Sequence, residues 1–486
     1  MKIDAAVSNT SLETGDGYDT DSIETSLREI VVDPGRPRAY PNFSTKLSHI
    51  PGKSGFFSAI STAMAMSRDG IDYFVKQREV YGDIYRDQLG SHQAVVVTNP
   101  DMIGSILRNE DKAWSSGMAI GKIAEGLSLD VPAYRRRYLL GLDFEHHHSA
   151  RKLVQHAFSR IALHGYLSII QNSFNEDIQK WRLHKKVGFK KEIHHILSKL
   201  SSRLFLGIYD KSESNRILDT TDAYWKALMS IIKSPAINPK RRRAIELKRA
   251  LRSQVLSLLP ARRERPGTDF LSYLCNLEER PEEWDDEQLI DLLFGVIFPS
   301  FDTTALALSS MFYLLATYPE WQERVRSEVL SLPEGVSLDD LLKMDVTEWV
   351  WKETLRLYPV SPALQRASLR TQLLAEHKIP AATLVTLSIG QLGFLPEYWE
   401  SPKRFDPERF SPQRAEDRGH KYIYMPFGHG PHRCIGAQLS SIEMKLLCIA
   451  ILKRYRIELE NPYVAKHQLS PLGSVSGDVE LKLSRL

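Results

Sequence analysis

Apolar residues recur at helical spacing through most of the chain between about residues 101 and 360. The stretches IGSILRN, HHSARKLVQHAF and PEWQERVRSEVLSL place apolar side chains three and four residues apart, which predicts amphipathic helices. Strand-like patterns are confined to about residues 75–100, with the run AVVVTNP, and about residues 363–390, around IPAATLVTLSI. The pattern therefore predicts a mainly α-helical α+β fold with a small β-rich portion.

One segment, residues 292–316, is apolar for long enough to span a membrane. Its centre, however, carries Pro299, Asp302, Thr303 and Thr304, and a charge is costly in lipid. Its flanks, QLID and YPEWQERV, continue as a polar-faced helix. We therefore expect a long buried helix, since helices that are apolar all round also occur in large protein cores.

No internal repeat or low-complexity linker divides the 486 residues. Residues 1–25 carry one Lys against six acidic residues, and the Pro- and Arg-containing stretch PGRPRAYPNF follows at 34–43. This composition predicts a disordered acidic tail and lead-in over residues 1–45, without a signal peptide or anchor. Residues 46–486 are predicted to form a single domain.

Composition adds limits on partners and compartment. The net charge of +4 does not indicate a nucleic-acid partner, and three scattered cysteines do not form a disulfide framework. We therefore expect a cytoplasmic protein with free thiols and no transmembrane segment. Residues 240–265 hold ten basic and two acidic residues, which is typical of a solvated helix face but leaves peripheral contact with acidic lipid or an acidic protein open.

The most specific motif is FGHGPHRCIG, residues 427–436. Glycines such as Gly428 and Gly436 let the backbone turn tightly and pass close to a flat partner. Apolar positions after Cys434 recur at helical spacing, so we expect the thiol where a loop enters a helix. Helix-start amides lower the pKa of a thiol, and a bound metal deprotonates it outright. A lone buried Cys, by contrast, is usually inert packing.

The pattern F-G-x-G-x-H-x-C-x-G resembles the haem-binding signature of the cytochrome P-450 family, the haem-thiolate monooxygenases. The resemblance covers roughly residues 70–486, and soluble bacterial members are the nearest in pattern. It implies a triangular helical prism with haem b between the long central helix and the Cys-ligand helix. It also implies that Cys434 is the axial iron ligand, that Phe427 packs over the sulfur side and that His432 meets a haem propionate.

A second motif is ETLR, in which Glu353 and Arg356 share one helix face and can pair. Such a pair taken alone is usually a surface ion pair of little consequence. It precedes FDPERF, residues 405–410, whose Arg409 fits the third member of the family's Glu–Arg–Arg cluster. The resemblance implies that the three form a structural network that holds the haem-binding loop.

In the long apolar segment, Asp302 and Thr303 match the family's acid–alcohol pair, which the resemblance implies is catalytic in supplying protons above the haem. The alternative is that two polar residues satisfy each other in mid-helix. The chain departs from the family where Ala-Gly is usual, because it carries Pro299 and Ser300. We hypothesise that a kink at Pro299 replaces the usual groove for O2. Ala382 in PAATLV is a second departure, since Gly is usual there.

Three further residues are candidate contacts of the haem propionates. His147 and Arg151 match the family's H-x-x-x-R, although the register among three consecutive histidines is open and solvated or metal-binding histidines are alternatives. Arg366 is a plausible second propionate partner, and a surface arginine in a strand is the other reading.

The resemblance implies a monooxygenase that inserts one atom of O2 into an apolar small molecule such as a sterol, terpenoid, fatty acid or polyketide. Residues 113–135 and 470–476 are expected to shape its pocket. Electrons are expected from NAD(P)H through ferredoxin reductase and a ferredoxin. That ferredoxin would dock on the basic surface outside Cys434, to which we assign Lys152, Lys421, Arg433 and Lys445.

Two other functions remain open at this point. A peroxide-using or rearranging haem-thiolate enzyme would need no redox partner, but members of that kind commonly lose the acid–alcohol pair. A non-catalytic haem protein, such as a gas sensor or electron carrier, is the third. The intact distal alcohol and the absence of a recognisable output domain favour the monooxygenase.

Overall fold

The computed structural model describes Glu24, Leu27 and residues 41–123, 138–183, 186–228, 236–277, 284–469 and 472–486. Most of the predicted tail and lead-in, residues 1–45, therefore lies outside the described residues. Within residues 1–40, Glu24 accepts a hydrogen bond of 2.7 Å from the backbone N–H of Thr371, and Leu27 is buried.

Helices dominate the described residues, as the apolar periodicity predicts. In chain order the α-helices are α1 (Phe56–Asp69), α2 (Asp72–Tyr81), α3 (Pro100–Arg108), α4 (Ser116–Ile123), α5 (Phe144–Gln155), α6 (Arg160–Ile178), α7 (Phe189–Leu206), α8 (Lys211–Leu228), α9 (Pro239–Glu264), α10 (Phe270–Cys275), α11 (Asp286–Thr317), α12 (Pro319–Leu330), α13 (Leu338–Leu342), α14 (Asp345–Leu357) and α15 (Ala437–Leu452). Their boundaries follow local signals: the Asn99 side chain, for example, accepts from the backbone N–H groups of Asp101 and Met102 and caps α3.

Most strands lie in the two predicted regions or at the C-terminal end, whereas the short strands at 114–115 and 186–188 lie within the region predicted to be helical. The strands are β1 (Ile84–Leu89), β2 (His92–Val97), β3 (Trp114–Ser115), β4 (Lys186–Gly188), β5 (Leu364–Ser368), β6 (Gln372–Leu374), β7 (His377–Ile379), β8 (Leu384–Leu387), β9 (Tyr455–Leu459), β10 (His467–Leu469), β11 (Gly473–Val475) and β12 (Glu480–Arg485). The first region begins later than predicted, because α2 continues to Tyr81. Gly82, with φ of 87°, then ends that helix.

The largest sheet has the order β1-β2-β8-β5-β3. Strands β1 and β2 form an antiparallel hairpin, β2 pairs in parallel with β8, and β8 pairs antiparallel with β5. Within this register Arg366 on β5 lies opposite Val385 on β8. The sheet thus joins segments nearly 300 residues apart in the chain and fixes the strand that carries Arg366.

Helix α11 contains the long apolar segment and lies in the main core. Asp285 and Gln288 close a reciprocal capping box at its N-terminus, and the helix continues unbroken through Pro299. It is the single described helix that is long and apolar enough to cross a membrane, yet 67% of its most apolar 18-residue stretch is buried inside the protein. This burial favours the predicted core helix over a membrane span.

The basic run of residues 240–265 forms most of helix α9, and several of its charges face protein. Arg252 is buried and pairs with Glu287 and Asp291 of α11. Arg263 lies 2.6 Å from Asp286. The run is therefore only in part the solvated helix face that its composition predicts, because these arginines hold α9 against α11.

Glu353, Arg356 and Arg409 meet in the interior. The Arg356 guanidinium donates to both oxygens of Glu353 at 2.7 and 2.8 Å, and Arg409 Nε donates to the same carboxylate at 3.1 Å. All three side chains have 0% exposure. Arg356 also donates to the carbonyl oxygens of Gly393 and Pro402 at 2.5 and 2.6 Å. The network thus ties helix α14 to the irregular chain that leads into the Cys434 loop.

We expect Arg409→Leu to destabilise the haem-bound protein by about 3–5 kcal/mol, because it leaves the buried Glu353 carboxylate short of a partner. Arg160→Leu is the matched control, since Arg160 pairs with Asp339 at 2.9 Å with both side chains mostly exposed. Its cost should be about 0–1 kcal/mol. Urea unfolding and haem content measure both, and equal losses for the two variants would contradict a structural role of the network.

Candidate functional site

The Cys434 loop is a tight turn held by its own backbone. The Cys434 N–H donates to the carbonyl oxygen of Phe427 at 2.9 Å, and Gly428 and Gly430 have φ of 68° and 69°. A Cβ added at Gly430 would lie 2.0 Å from the Leu107 carbonyl oxygen, so only glycine fits between the loop and helix α3. The helix predicted after Cys434 is α15, with Gly436 in ordinary backbone geometry at its N-cap.

The surroundings of the Cys434 thiol suit the binding of a cation. The residue is exposed, although enough protein surrounds its thiol for burial to raise the thiol's pKa. Backbone N–H groups of Gly436 and Ala437 and the guanidinium groups of Arg151 and Arg433 act in the opposite direction. A metal bound at the open side would deprotonate the thiol outright.

His147 and His432 lie side by side near this loop, with ring centroids 3.9 Å apart. His147 is the buried member of its run, whereas His148 is exposed. One nitrogen of each ring, Nε2 of His147 and Nδ1 of His432, is buried with no hydrogen-bond partner in the described part of the chain. Burial, together with neighbouring cationic groups, lowers the pKa of both imidazoles.

Two arginines complete a basic cluster, defined here as His147, Arg151, Arg366 and His432. Arg366 is 5% exposed, and burial lowers its pKa to about 10. No carboxylate in the described ranges lies within ion-pair distance of its guanidinium. Arg151 donates to the Arg433 carbonyl oxygen at 2.8 Å and so contacts the Cys434 loop directly.

Sequence reasoning missed Asp143, which supports this cluster. Its buried carboxylate accepts from Ser115 Oγ at 2.6 Å and from the N–H groups of Ser116 and Gly117 at 2.8 and 3.1 Å. His432 Nε2 lies 3.8 Å away. Asp143 precedes His147 by four residues at the start of helix α5. That spacing could have placed Asp143 near His147 from the sequence, but it does not predict the hydrogen bonds from Ser115 and Ser116.

The basic cluster and the thiol together fit haem b. A buried guanidinium and two imidazoles with unpartnered nitrogens cost free energy unless anionic acceptors meet them. The two propionates of haem b supply such carboxylates, and its iron accepts a thiolate. No group of His, Cys, Asp and Glu that could hold a bare metal ion occurs among the described residues.

The acid–alcohol pair lies in mid-helix on α11. Asp302 is buried and hydrogen-bonds His194 of helix α7, while the Thr303 hydroxyl donates to the Pro299 carbonyl oxygen at 2.9 Å. Asp302 and Thr303 therefore do not bond each other, contrary to the reading in which the two simply satisfy one another. His194 carried no local signal, because 108 residues separate it from Asp302.

The structure describes Phe427 and Ala382 but only part of the predicted pocket segments. Phe427 is half-buried against the main core, to which helices α11 and α15 also contribute. Ala382 has φ of 59°, the left-handed backbone that makes Gly usual at this position. Residues 124–135 and 470–471 of the predicted pocket segments lie outside the described residues.

Comparisons with known proteins agree with these features. The family profile described as Cytochrome P450 matches residues 56–481. The chain is 26% identical over 437 residues to a "Putative cytochrome P450 136" of Mycobacterium tuberculosis, covering 88% of this chain and 87% of the relative. It is 28% identical over 400 residues to a "Cyclooctat-9-en-7-ol 5-monooxygenase" of Streptomyces melanosporofaciens, covering 79% and 84%.

Solved structures agree on the fold. The structure titled "Retinoic acid bound cyanobacterial CYP120A1" superposes with a TM-score of 0.79 at 22% identity, over 92% of this chain and 100% of that chain. "Crystal structure of cytochrome P450DA heme domain" gives a TM-score of 0.77 at 19% identity, over 90% and 97%. The fold predicted from the sequence is confirmed.

We expect His147 to make stability depend on pH in the haem-free protein. Its pKa is lowered to about 4 by burial and by Arg151 and Arg366, against about 6.5 in an unfolded chain. The unfolded chain therefore binds more protons between these values, and stability falls as the pH falls through this range, by about 3 kcal/mol in full. A propionate beside His147 would raise its pKa and remove this dependence.

The measurement is urea unfolding from pH 7 to pH 4, with and without haem, of the wild type and His147→Gln. His147→Gln should flatten the pH dependence of the haem-free protein alone. His467→Gln is the control, because burial also lowers the pKa of His467 to about 4 while its Nε2 contacts the Pro359 carbonyl oxygen. The control should flatten both curves, and the same behaviour in His147→Gln would exclude the propionate contact.

Proposed function

Because the chain belongs to the cytochrome P450 family and is a haem-thiolate monooxygenase, we propose that it inserts one atom of O2 into an apolar small molecule, using electrons from a redox partner. The observation that carries the proposal is the exposed Cys434 residue beside a buried basic cluster in which one nitrogen of each imidazole has no hydrogen-bond partner among the described residues. That arrangement fits one thiolate-bound haem.

Each residue of the cluster has a distinct part in this proposal. Cys434 would ligate the iron, Arg151 and Arg366 would bind propionate oxygens through their guanidinium N–H groups, and His147 and His432 would do so through ring N–H groups. Phe427 covers the sulfur side. When bound, haem b supplies the iron that activates O2, and the thiolate donates electron density to it.

Asp302 and Thr303 handle protons. The Thr303 hydroxyl now donates to the Pro299 carbonyl oxygen, and a rotation about χ1 frees its Oγ1–H to donate elsewhere. The Asp302 carboxylate takes a proton from the solvent side and passes it through water toward Thr303. Each turnover consumes two protons and two electrons, RH + O2 giving ROH and water, so this supply must be renewed in every cycle.

An apolar substrate fits the surroundings of the pair. Helix α11 borders the main core, with Phe301 and Ala305 buried next to Asp302 and Thr303. A mostly hydrocarbon molecule gives up few hydrogen bonds to water when it enters such an apolar site. The Streptomyces relative is named as a monooxygenase of cyclooctat-9-en-7-ol, and that name denotes a mainly hydrocarbon alcohol. This likeness supports the apolar substrate predicted from the sequence.

Electrons are proposed to come from NAD(P)H through ferredoxin reductase and an acidic ferredoxin, in the cytoplasm. Lys152, Lys421 and Arg433 are exposed near the Cys434 loop or helix α5 and suit an acidic partner. Lys445 does not belong to this surface, contrary to the sequence-based assignment. It is buried, and its Nζ donates to the Leu341 carbonyl oxygen at 2.9 Å.

We expect Cys434→Ser to abolish the thiolate signature in the reduced, carbon monoxide-bound absorption spectrum, because an alcohol does not replace the thiolate as iron ligand. Cys275→Ser is the control, since Cys275 is a half-buried free thiol away from the loop. It should leave the Soret band in place. An unaltered spectrum in purified Cys434→Ser would refute the ligand assignment.

We expect Thr303→Val to uncouple electron consumption from product formation, because the isosteric side chain loses the hydroxyl that passes a proton. The proton-dependent step should slow by about 100-fold, measured as product and hydrogen peroxide per NAD(P)H with a ferredoxin system. Thr304→Val is the control. Thr304 is the next residue along α11, and its buried hydroxyl donates to the Ser300 carbonyl oxygen in the same way.

The same assay, run with hydrogen peroxide instead of the ferredoxin system, separates the two enzyme functions. Peroxide brings its own protons and electrons, so Thr303→Val should lose far less there. A wild type that turns over with peroxide and not with any ferredoxin would favour the peroxide-using alternative.

A further inference from the structure

We infer that His194 is a positioning residue for the reaction and that it acts through Asp302, holding the carboxylate at the boundary between helices α7 and α11. The inference rests on the proposed function, because Asp302 supplies protons only in an enzyme that activates O2. Nothing in the sequence motif of α11 specifies such a partner. The contact comes from the packing of two helices.

His194 is locked against α11 by two kinds of contact. Its Nε2 hydrogen-bonds Asp302 Oδ1, and its ring meets the ring of Phe301 edge-on, with centroids 5.3 Å apart. Two turns further along α7, Ser201 Oγ and Ser300 Oγ lie 2.8 Å apart. The helices are thus joined by a polar contact at the acid and by a second one two residues earlier on α11.

The side chains of Asp302 and His194 differ in burial, so the contact runs from the protein interior toward solvent. The Asp302 side chain is 7% exposed, whereas the His194 side chain is 24% exposed. A buried carboxylate costs free energy unless hydrogen bonds satisfy its oxygens, and each such bond also fixes its orientation. His194 provides one from the side that reaches solvent, so it holds the carboxylate in the orientation from which a proton can be collected.

This placement also fits the departure at Ser300. The Ser300 hydroxyl donates to the Ile297 carbonyl oxygen at 2.7 Å as well as facing Ser201. The residue that replaces the usual glycine is therefore part of the same α7–α11 contact as the acid. The polar link to α7 is a property of this chain and not of the acid–alcohol motif alone.

The test compares His194→Phe, His194→Gln and His195→Phe in the haem-bound enzyme. Phe keeps the ring contact but removes the donor, and Gln keeps an N–H donor at the position of Nε2. His195 is the matched control, a half-buried histidine next along α7. Product per NAD(P)H with a ferredoxin system and product with peroxide are measured for each variant.

We expect His194→Phe to lower product per NAD(P)H by about tenfold, because a misplaced proton donor is ineffective. Peroxide-driven product and the carbon monoxide spectrum should be unchanged. His194→Gln should restore most of the loss, and His195→Phe should behave as wild type. Full coupling in His194→Phe, an equal loss with peroxide, or no rescue by Gln would each overturn the inference.

A second readout needs no turnover. In a double-mutant cycle on thermal unfolding, the change in Tm caused by His194→Phe should shrink in the Asp302→Ala background, because the two side chains share one hydrogen bond. Additive changes would mean that the contact is absent. A wild type without ferredoxin-driven product would instead sink the proposed function while leaving this cycle interpretable.

Discussion

Positive charge buried beside an open thiol is the constraint on which this structure depends. The Arg366 guanidinium is buried, His147 and His432 each keep one buried nitrogen without a hydrogen-bond partner among the described residues, and burial disfavours ionisation of the Cys434 thiol until a cation binds. One ligand that brings two carboxylates and an iron satisfies all of them at once. The rest of the fold serves to keep these groups where such a ligand can meet them.

Two sets of contacts supply that support. The fully buried carboxylate of Glu353 gathers Arg356 and Arg409 and fixes the irregular chain that precedes the Cys434 loop. On the other side of the site, the register of the large sheet fixes Arg366. Both sets of contacts hold buried charges in place. A buried charge without its partner costs free energy, so only the arrangement that supplies every partner is stable.

Helix α11 combines stability with chemistry. Most of its residues are apolar and fill the core, so the polar residues in its middle must be satisfied locally or by a neighbour. Thr303 finds the carbonyl oxygen of Pro299 within the helix, and Asp302 finds His194 on α7. The hydroxyl is thus easily released by rotation, whereas the acid is held by another helix.

Local sequence patterns were enough to predict the helical class, the core position of α11, the loop-to-helix turn at Cys434 and the family. These follow from local periodicity, glycine spacing and a ten-residue motif, which act over short distances along the chain. Long-range packing, by contrast, buries Lys445, places Asp143 near His432 and brings His194 to Asp302. Those contacts join residues far apart in sequence, and helix packing and strand register, which no local pattern encodes, bring them together.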